Sequence, residues 1–487
     1  MSDSHVLTDY EPVRPPGRTE PPEAETLSAP EGRGPGRERA ARAGGAARRK
    51  GPRAAPAESW VARRGHLVSY CGLFLFTAFV FFRPYELFSA PGLREGAQWF
   101  ALFTLLAYLP SQFMAEGNLT ARPREVNLAL LLLLAALLSI PLAISPGEAW
   151  ENFVEFLKVI LMFVVMVNVT RTEWRFRGLL MLAMSVTVML SFGAFNDYRH
   201  GRLELGGERI KGMLGGLFEN PNDLALHLVT MVPLAVGLAF ARRGPLMKLF
   251  YGLCAALFSA GVIVTFSRGG FLGLLTALGV LAWKLGRRHR LTVAALLVIS
   301  FGVFTVAMPG DYGLRVSSIF GGDVTGSATA RRDLLWRSVV VALRYPVTGI
   351  GIGNFYHRGA QNQGSHNAYT QVAAEMGLAA FVIYTMFIIS PIRRLGRIER
   401  ESFAEKDRAR FYYLAVGLQA SLVGYMVSSF FASVAHLWYV YYLIGYSVCL
   451  RRLYTLQFGE PAPAGGEAGG ARAPAEAAAA TPAGAST

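Results

Sequence analysis

The sequence predicts an all-α, polytopic integral membrane protein with about twelve transmembrane helices and a long outer loop containing an amphipathic helix. Three observations predict it. Of 487 residues 52% are hydrophobic and only 17% charged, with a mean hydropathy of +0.34, so too little charge is present to cover a water-facing surface of this size. The apolar residues gather into runs close to the 20 or so that a bilayer core about 30 Å thick requires. Lys and Arg alternate between successive connections, as the positive-inside rule demands.

Residues 1–65 are rich in Pro, Gly, Ala, Arg and Glu and poor in large apolar side chains, which predicts a disordered basic tail. Ten bases against Glu38 and Glu58 between Arg33 and Arg64 set topology as a solvated tail or rest on anionic lipid. No cleavable signal peptide is read here. Apolar runs then fall near 66–82, 97–113, 126–145, 152–170, 178–195, 222–241, 246–266, 269–285 and 291–308. After a long connection at 309–365, three more lie near 366–390, 411–431 and 434–450. Residues 451–487 form a second disordered tail, Ala/Pro/Gly-rich from Gly459 onward. Cys71, Cys254 and Cys449 all lie in apolar runs and read as small packing residues.

One set of connections carries Arg122 and Arg124; Arg171, Arg175 and Arg177; Arg242, Arg243 and Lys248; Lys284, Arg287, Arg288 and Arg290; and Arg393, Arg394, Arg397 and Arg400. These are assigned to the cytoplasm, and with twelve spans both termini join them. On the other face two connections are too long to be turns, 196–220 and 309–365, and both carry bases against the topology signal. Cations placed there suggest an anionic ligand. In the longer one, Leu335, Val339 and Leu343 share a helical stripe with Trp336 and Val340 beside it, while Arg337 and Arg344 lie on another face. This helix lies in the membrane interface or packs over the bundle as a lid.

Four clusters on that face carry chemistry. Glu219-Asn220-Pro221-Asn222-Asp223 is either ordinary N-terminal capping or a helix start that holds an anion, with Arg209 and Lys211 nearby. In Ser267-Arg268-Gly269-Gly270, Arg268 opposes the positive end of the helix it begins, so it serves an anionic ligand or pairs with a structural carboxylate. Gly349-Ile350-Gly351-Ile352-Gly353-Asn354-Phe355 is no dinucleotide loop, since no parallel sheet surrounds it; its glycines let backbone pass close to a neighbour. Ser365-His366-Asn367-Ala368-Tyr369 places a histidine at the start of a span, as polar anchor or as proton acceptor. Glu375 follows nine residues on, about 13 Å along a helix and near 180° around it, too far to touch His366, and pairs instead with a neighbouring span. No Cys/His or paired-acid metal spacing is found.

The segments RIKGMLGGLFENPNDLA, TFSRGGFLGLL, GIGNF and SHNAYTQVAAEMGLAAF, in this order on about twelve spans, resemble the bacterial O-antigen ligase and O-antigen polymerase superfamily. The resemblance implies a metal-independent glycosyltransferase of the inner membrane without cofactor, its site and long loop facing the periplasm. Its partners would be an undecaprenyl-diphosphate-linked glycan, a lipid A-core or glycan acceptor and the bilayer, with no nucleic acid. By position, Arg209, Lys211 and Arg268 would bind diphosphate and His366 would be the general base. Asn220, Asn222, Arg337 and Asn367 are candidates for further substrate contacts. Lipopolysaccharide ligation and exopolysaccharide polymerisation both remain open, and so does protein O-glycosylation. A lipid-linked glycan transporter is the reading from another class. It requires charges along a central path, for which Lys158 and His227 are the candidates.

Overall fold

The computed structural model describes residues 60–87, 92–93, 95–201, 210, 218, 220–291, 326–358 and 363–459. Every regular element among them is helical. In order they are α1 (Trp60–Phe82), α2 (Pro84–Leu87), α3 (Gly96–Glu116), α4 (Arg124–Ser139), α5 (Pro146–Val169), α6 (Glu173–Arg199), α7 (Pro221–Ala241), α8 (Pro245–Val264) and α9 (Arg268–Gly286). Then come α10 (Gly326–Arg344), α11 (Ala368–Met376), α12 (Leu378–Ser402), α13 (Ala409–Ser428) and α14 (Trp438–Phe458). Short 3-10 turns occupy Asn354–His357 and Ser429–Phe431.

Local chemistry sets many of these bounds. Proline opens α5, α7 and α8, where its missing N–H costs nothing. Gly117 closes α3 in the left-handed conformation that glycine accepts without strain. Among the described residues eight helices are long and apolar enough to cross a membrane: α1 from Arg64, α5 to α9, α12, and α13 with its following turn. The helices α3, α4 and α14 pack in the same bundle without meeting both conditions. With 16 residues α4 spans about 24 Å at 1.5 Å rise, and five tyrosines lower the hydropathy of α14.

The structure redraws several expected elements. α1 begins at Trp60, ahead of the expected 66, and α14 continues to Phe458, through residues assigned to the C-terminal tail. The run at 126–145 ends as helix at Ser139, just before Pro141. The run at 366–390 is two elements, because Gly377 at φ +87° breaks it. A Cβ at Gly377 would fall 2.3 Å from the carbonyl oxygen of Val347, so only glycine lets that chain pass. The expected span at 291–308 lies outside the described residues apart from its first position.

Helices α7, α9 and α13 meet through small residues, the usual route to close approach without a water-driven force between spans. A Cβ on Gly237 would lie 2.8 Å from Tyr413 O, and one on Gly417 2.8 Å from Pro233 O. The Gly417→Leu variant is therefore expected to unfold at lower temperature in detergent, losing about 1–3 kcal/mol by overpacking. Gly252→Leu, at a position with nothing within 4 Å of its Cβ, should leave the transition unchanged.

The two ends of the bundle differ in chemistry. At one end every basic connection named above gathers with its acids. Glu125 accepts from both terminal nitrogens of Arg451 at 2.9 Å and from Ser390 Oγ at 3.0 Å, with Arg394 Nε at 3.6 Å. Glu173 pairs with Arg177 and Arg410, and Glu399 with Lys284. The opposite end, reached by the C-termini of α1, α6, α8 and α13 and the N-termini of α5, α7, α9 and α14, carries the chemistry-bearing clusters.

Candidate functional site

The start of α7 and the start of α9 are locked together. Asn220 caps α7, its Oδ1 accepting from Asn222 N at 2.9 Å and Nδ2 at 3.1 Å. Ser267 caps α9 by accepting from Gly270 N at 3.2 Å, and it donates to Asn222 Oδ1 at 2.8 Å. Asn220 and Asn222 are thus committed to shaping the helix starts. Gly269 lets Phe431 approach, and Gly270 lets Ala225 approach, at distances no side chain would allow. Arg268 is the first residue of α9, half-buried, and no carboxylate among the described residues lies within ion-pair reach of it.

The third wall is the segment before α11. His366 precedes the helix instead of beginning it as the sequence suggests: Asn367 is the cap, accepting from Tyr369 N at 2.9 Å and Thr370 N at 3.0 Å. The separation of His366 and Glu375 worked out for a single helix therefore does not apply. His366 adopts φ +51° and donates its backbone N–H to Ser433 Oγ at 2.8 Å. Its half-buried imidazole makes no hydrogen bond among the described residues. Burial, and then the nearby Arg331 guanidinium of α10, hold the imidazole below its ordinary value of 6.5. Among the described residues three non-glycines take positive φ, Arg83, Phe266 and His366, and all three stand at this end of the bundle. Strain of this kind persists where surrounding structure enforces it, and it clusters at functional sites.

The glycine loop is a clamp. Ile350 N and Gly351 N donate to Ala374 O and Glu375 O at 3.0 Å each, and Asn354 Oδ1 accepts from Ser145 N at 2.6 Å. A Cβ at Gly349 would fall 2.3 Å from the Glu375 carbonyl carbon, which is why glycine stands there. The loop thereby joins α5 to α11, as the close-passage reading requires. Its Tyr356 lies within electrostatic reach of Asp223 and Glu375.

Glu375 is fully buried and faces His436, which precedes α14, with Oε2 3.7 Å from Nδ1. Burial pushes the Glu375 carboxyl up to about 7, although the N–H groups of Gly353 and Phe355 and the Gln371 amide oppose it. Burial pushes His436 down to about 4. The pair is a polar contact with a neutral histidine.

α10 packs on α11 through Leu334, Ser338 and Ala342, not through the expected stripe. Leu335 and Val339 are half-buried, and Leu343, Trp336, Val340 and Arg337 are exposed, so the helix has one face on the bundle and an apolar face outside it. Arg209 and Lys211 lie outside the described residues, while Ile210 between them is fully buried in the core. Ser433 and His436 escape the sequence reading as site residues, because no local pattern in a single sequence ties a serine 67 positions away to a histidine backbone. An apolar cavity between α1, α6, α7 and α14 is lined by Phe81, Leu182, Val186, Met231, Tyr442 and Tyr446. His227 is packed there among Phe81, Phe218 and Tyr439, with Nε2 3.1 Å from Thr187 Oγ1, and Lys158 pairs with Glu155 one turn away on α5.

The fold and this end-on cluster define a polytopic helical membrane protein whose polar chemistry is concentrated at one end of its bundle. Residues 253–385 match the family described as O-Antigen ligase, a similarity that supports the O-antigen ligase/polymerase superfamily. The matched segment runs from α8 into α12 and includes both Arg268 and His366. No curated protein matches the chain.

Proposed function

We propose that the protein transfers a glycan from undecaprenyl diphosphate to an acceptor hydroxyl on the periplasmic face of the inner membrane. The observation that carries this reading is the gathering of the Asn220–Asp223, Ser267–Arg268 and His366 segments at one end of the bundle, with Arg268 lacking a carboxylate partner among the described residues and the His366 imidazole held toward its neutral form. Neutral His366 takes the proton of the acceptor hydroxyl as its oxygen bonds to the anomeric carbon, and the carbon–oxygen bond to the diphosphate breaks. The leaving diphosphate is already an anion, so it needs cations in place of a general acid. Arg268, with Arg209 and Lys211 from the preceding connection, is assigned that role because guanidinium offers fixed, bidentate geometry to phosphate. Arg337 and Asn367 are secondary candidates for contacts with the sugars, and the apolar cavity beside α7 is assigned to the isoprenoid chain. No step of this scheme calls for a metal.

Two acceptors fit this chemistry: a lipid A core, giving a ligase, or a second carrier-linked repeat unit, giving a polymerase. Profiling carrier-linked and lipid A-linked glycans together in a null strain separates them. Long polymer retained on the carrier and absent from lipid A identifies the ligase, and accumulation of single repeat units identifies the polymerase. If neither pool changes, transfer of this glycan class is the wrong reaction and the transporter reading replaces it.

A further inference from the structure

At the end of the bundle opposite the candidate site, a fully buried guanidinium has no carboxylate beside it among the described residues. Three guanidinium groups converge on the C-terminus of α5. Arg171 Nε donates to Asn168 O at 2.9 Å, Arg452 Nη1 to Val167 O at 3.1 Å and Arg175 Nη1 to Val169 O at 3.0 Å. Capping the last carbonyls of a helix is a sufficient reason for cations to be there. It does not account for their number or their burial. Among the described residues Glu116 lies 2.7 Å from Arg171 and 3.4 Å from Arg452. Arg175 has no ion-pair partner among the described residues, although it is 0% exposed.

A guanidinium out of water and without a counter-charge is costly, and its unsatisfied donors add to that cost. Arg175 Nε and Nη2 are buried and meet no protein acceptor. Beside them, within electrostatic reach of all three arginines, His66 is 0% exposed and neither of its ring nitrogens has a partner. The hydroxyl of Thr172, which stands at the N-cap position of α6 without capping it, is also unpartnered. Donors from α1 and α6 thus accumulate beside the positive end of a long helix. The rings of Tyr70 and Trp174 flank the Arg175 guanidinium at 5.6 and 5.4 Å, and the exposed Trp174 marks the headgroup depth where such rings prefer to lie.

We propose that this buried cluster of donors between α1, α6 and α14 is a binding site for a phosphate-class anion, held by Arg175 and Thr172 with His66 as a further donor, and backed by Arg171 and Arg452. Basic pockets between spans at a cytoplasmic face are the usual seat of anionic headgroups, and an anion here would supply the counter-charge that Arg175 lacks among the described residues. The ligand is the phosphate of an anionic phospholipid or a free phosphate. The site is separate from the proposed glycan chemistry, since α5 and α6 carry it to the other end of the bundle.

The test uses the full-length protein purified in a neutral detergent. Native mass spectrometry counts retained phosphatidylglycerol against phosphatidylcholine, and thermal unfolding is followed with each lipid and with inorganic phosphate against chloride at equal ionic strength. One phosphatidylglycerol retained per chain, with a raised melting temperature, identifies the headgroup. Stabilisation by inorganic phosphate at millimolar concentration without lipid selectivity identifies the free anion. In either case Arg175→Met should weaken binding at least tenfold, whereas Arg177→Met, at a half-exposed position paired with Glu173, should not. Should Arg175→Met fail to fold, His66→Leu and Thr172→Val carry the same comparison. The proposal is overturned if neither anion binds, or if binding is equal in the wild type and in the variants of this cluster.

Discussion

Replacing His366 with alanine is expected to lower the rate of glycan transfer by about 10²- to 10⁴-fold, the usual contribution of a positioned base, while donor binding survives. The backbone N–H that holds this segment to Ser433 remains in the variant, so the fold of the site is kept. Alanine is strained at the φ of +51° found here, and asparagine, which tolerates that region, removes the imidazole without the strain. Alanine and asparagine variants should therefore be equally slow. The measurement is a transfer rate in lipid with a carrier-linked donor, alongside a separate donor-binding assay. The pH profile gives a second readout. The proposed base would work when neutral, and burial and Arg331 depress protonation of His366, so activity should be lost on acidification only below pH 6.5. Replacing Arg331 with glutamine removes one of these causes and should move the acid limb upward. A His366→Asn protein with full activity would exclude the imidazole as the base.

The largest loss of stability is expected from Glu125→Leu. Glu125 is 0% exposed and joins α4 to α14 through Arg451 and to α12 through Ser390 and Arg394. Removing one member of a buried ion pair leaves the other desolvated and uncompensated, at a cost of about 3–5 kcal/mol. Thermal unfolding in detergent and the yield of folded protein should both fall sharply. The double variant Glu125→Leu with Arg451→Leu should recover much of the loss, because no buried charge is then orphaned. If the single variant melts with the wild type, the network contributes nothing to holding these helices together.

The membrane class and most spans were legible in the sequence because lipid imposes one strong rule: every backbone group must be satisfied within its own helix over about 20 apolar residues. The basic connections were legible for a similar reason, and the structure gathers them at one end. The start of α7 was readable from Asn220-Pro221, and that of α9 from Ser267, since capping is local chemistry. Where local pattern misled, a distant contact intervened. The run at 366–390 reads by its length as one span, yet Gly377 must let Val347 pass and therefore ends α11. The stripe on α10 was assigned one step from the buried face because packing against Ala373 and Ala374 of α11 decides which side turns inward.

By itself, then, the sequence determined that this is a helical membrane protein with cations on both faces, and it marked Arg268 and His366 as residues whose charge and position need a reason. Only the tertiary structure decided their company. It tied Asn222 to Ser267, hung His366 on Ser433, set Glu375 against His436, and left Arg175 with two buried donors and, among the described residues, no acid. The physical reason is range: capping, apolar length and charge bias act within a few residues of the chain, whereas hydrogen-bond partners and counter-charges are found across helices whose sequence separation carries no signal in one chain.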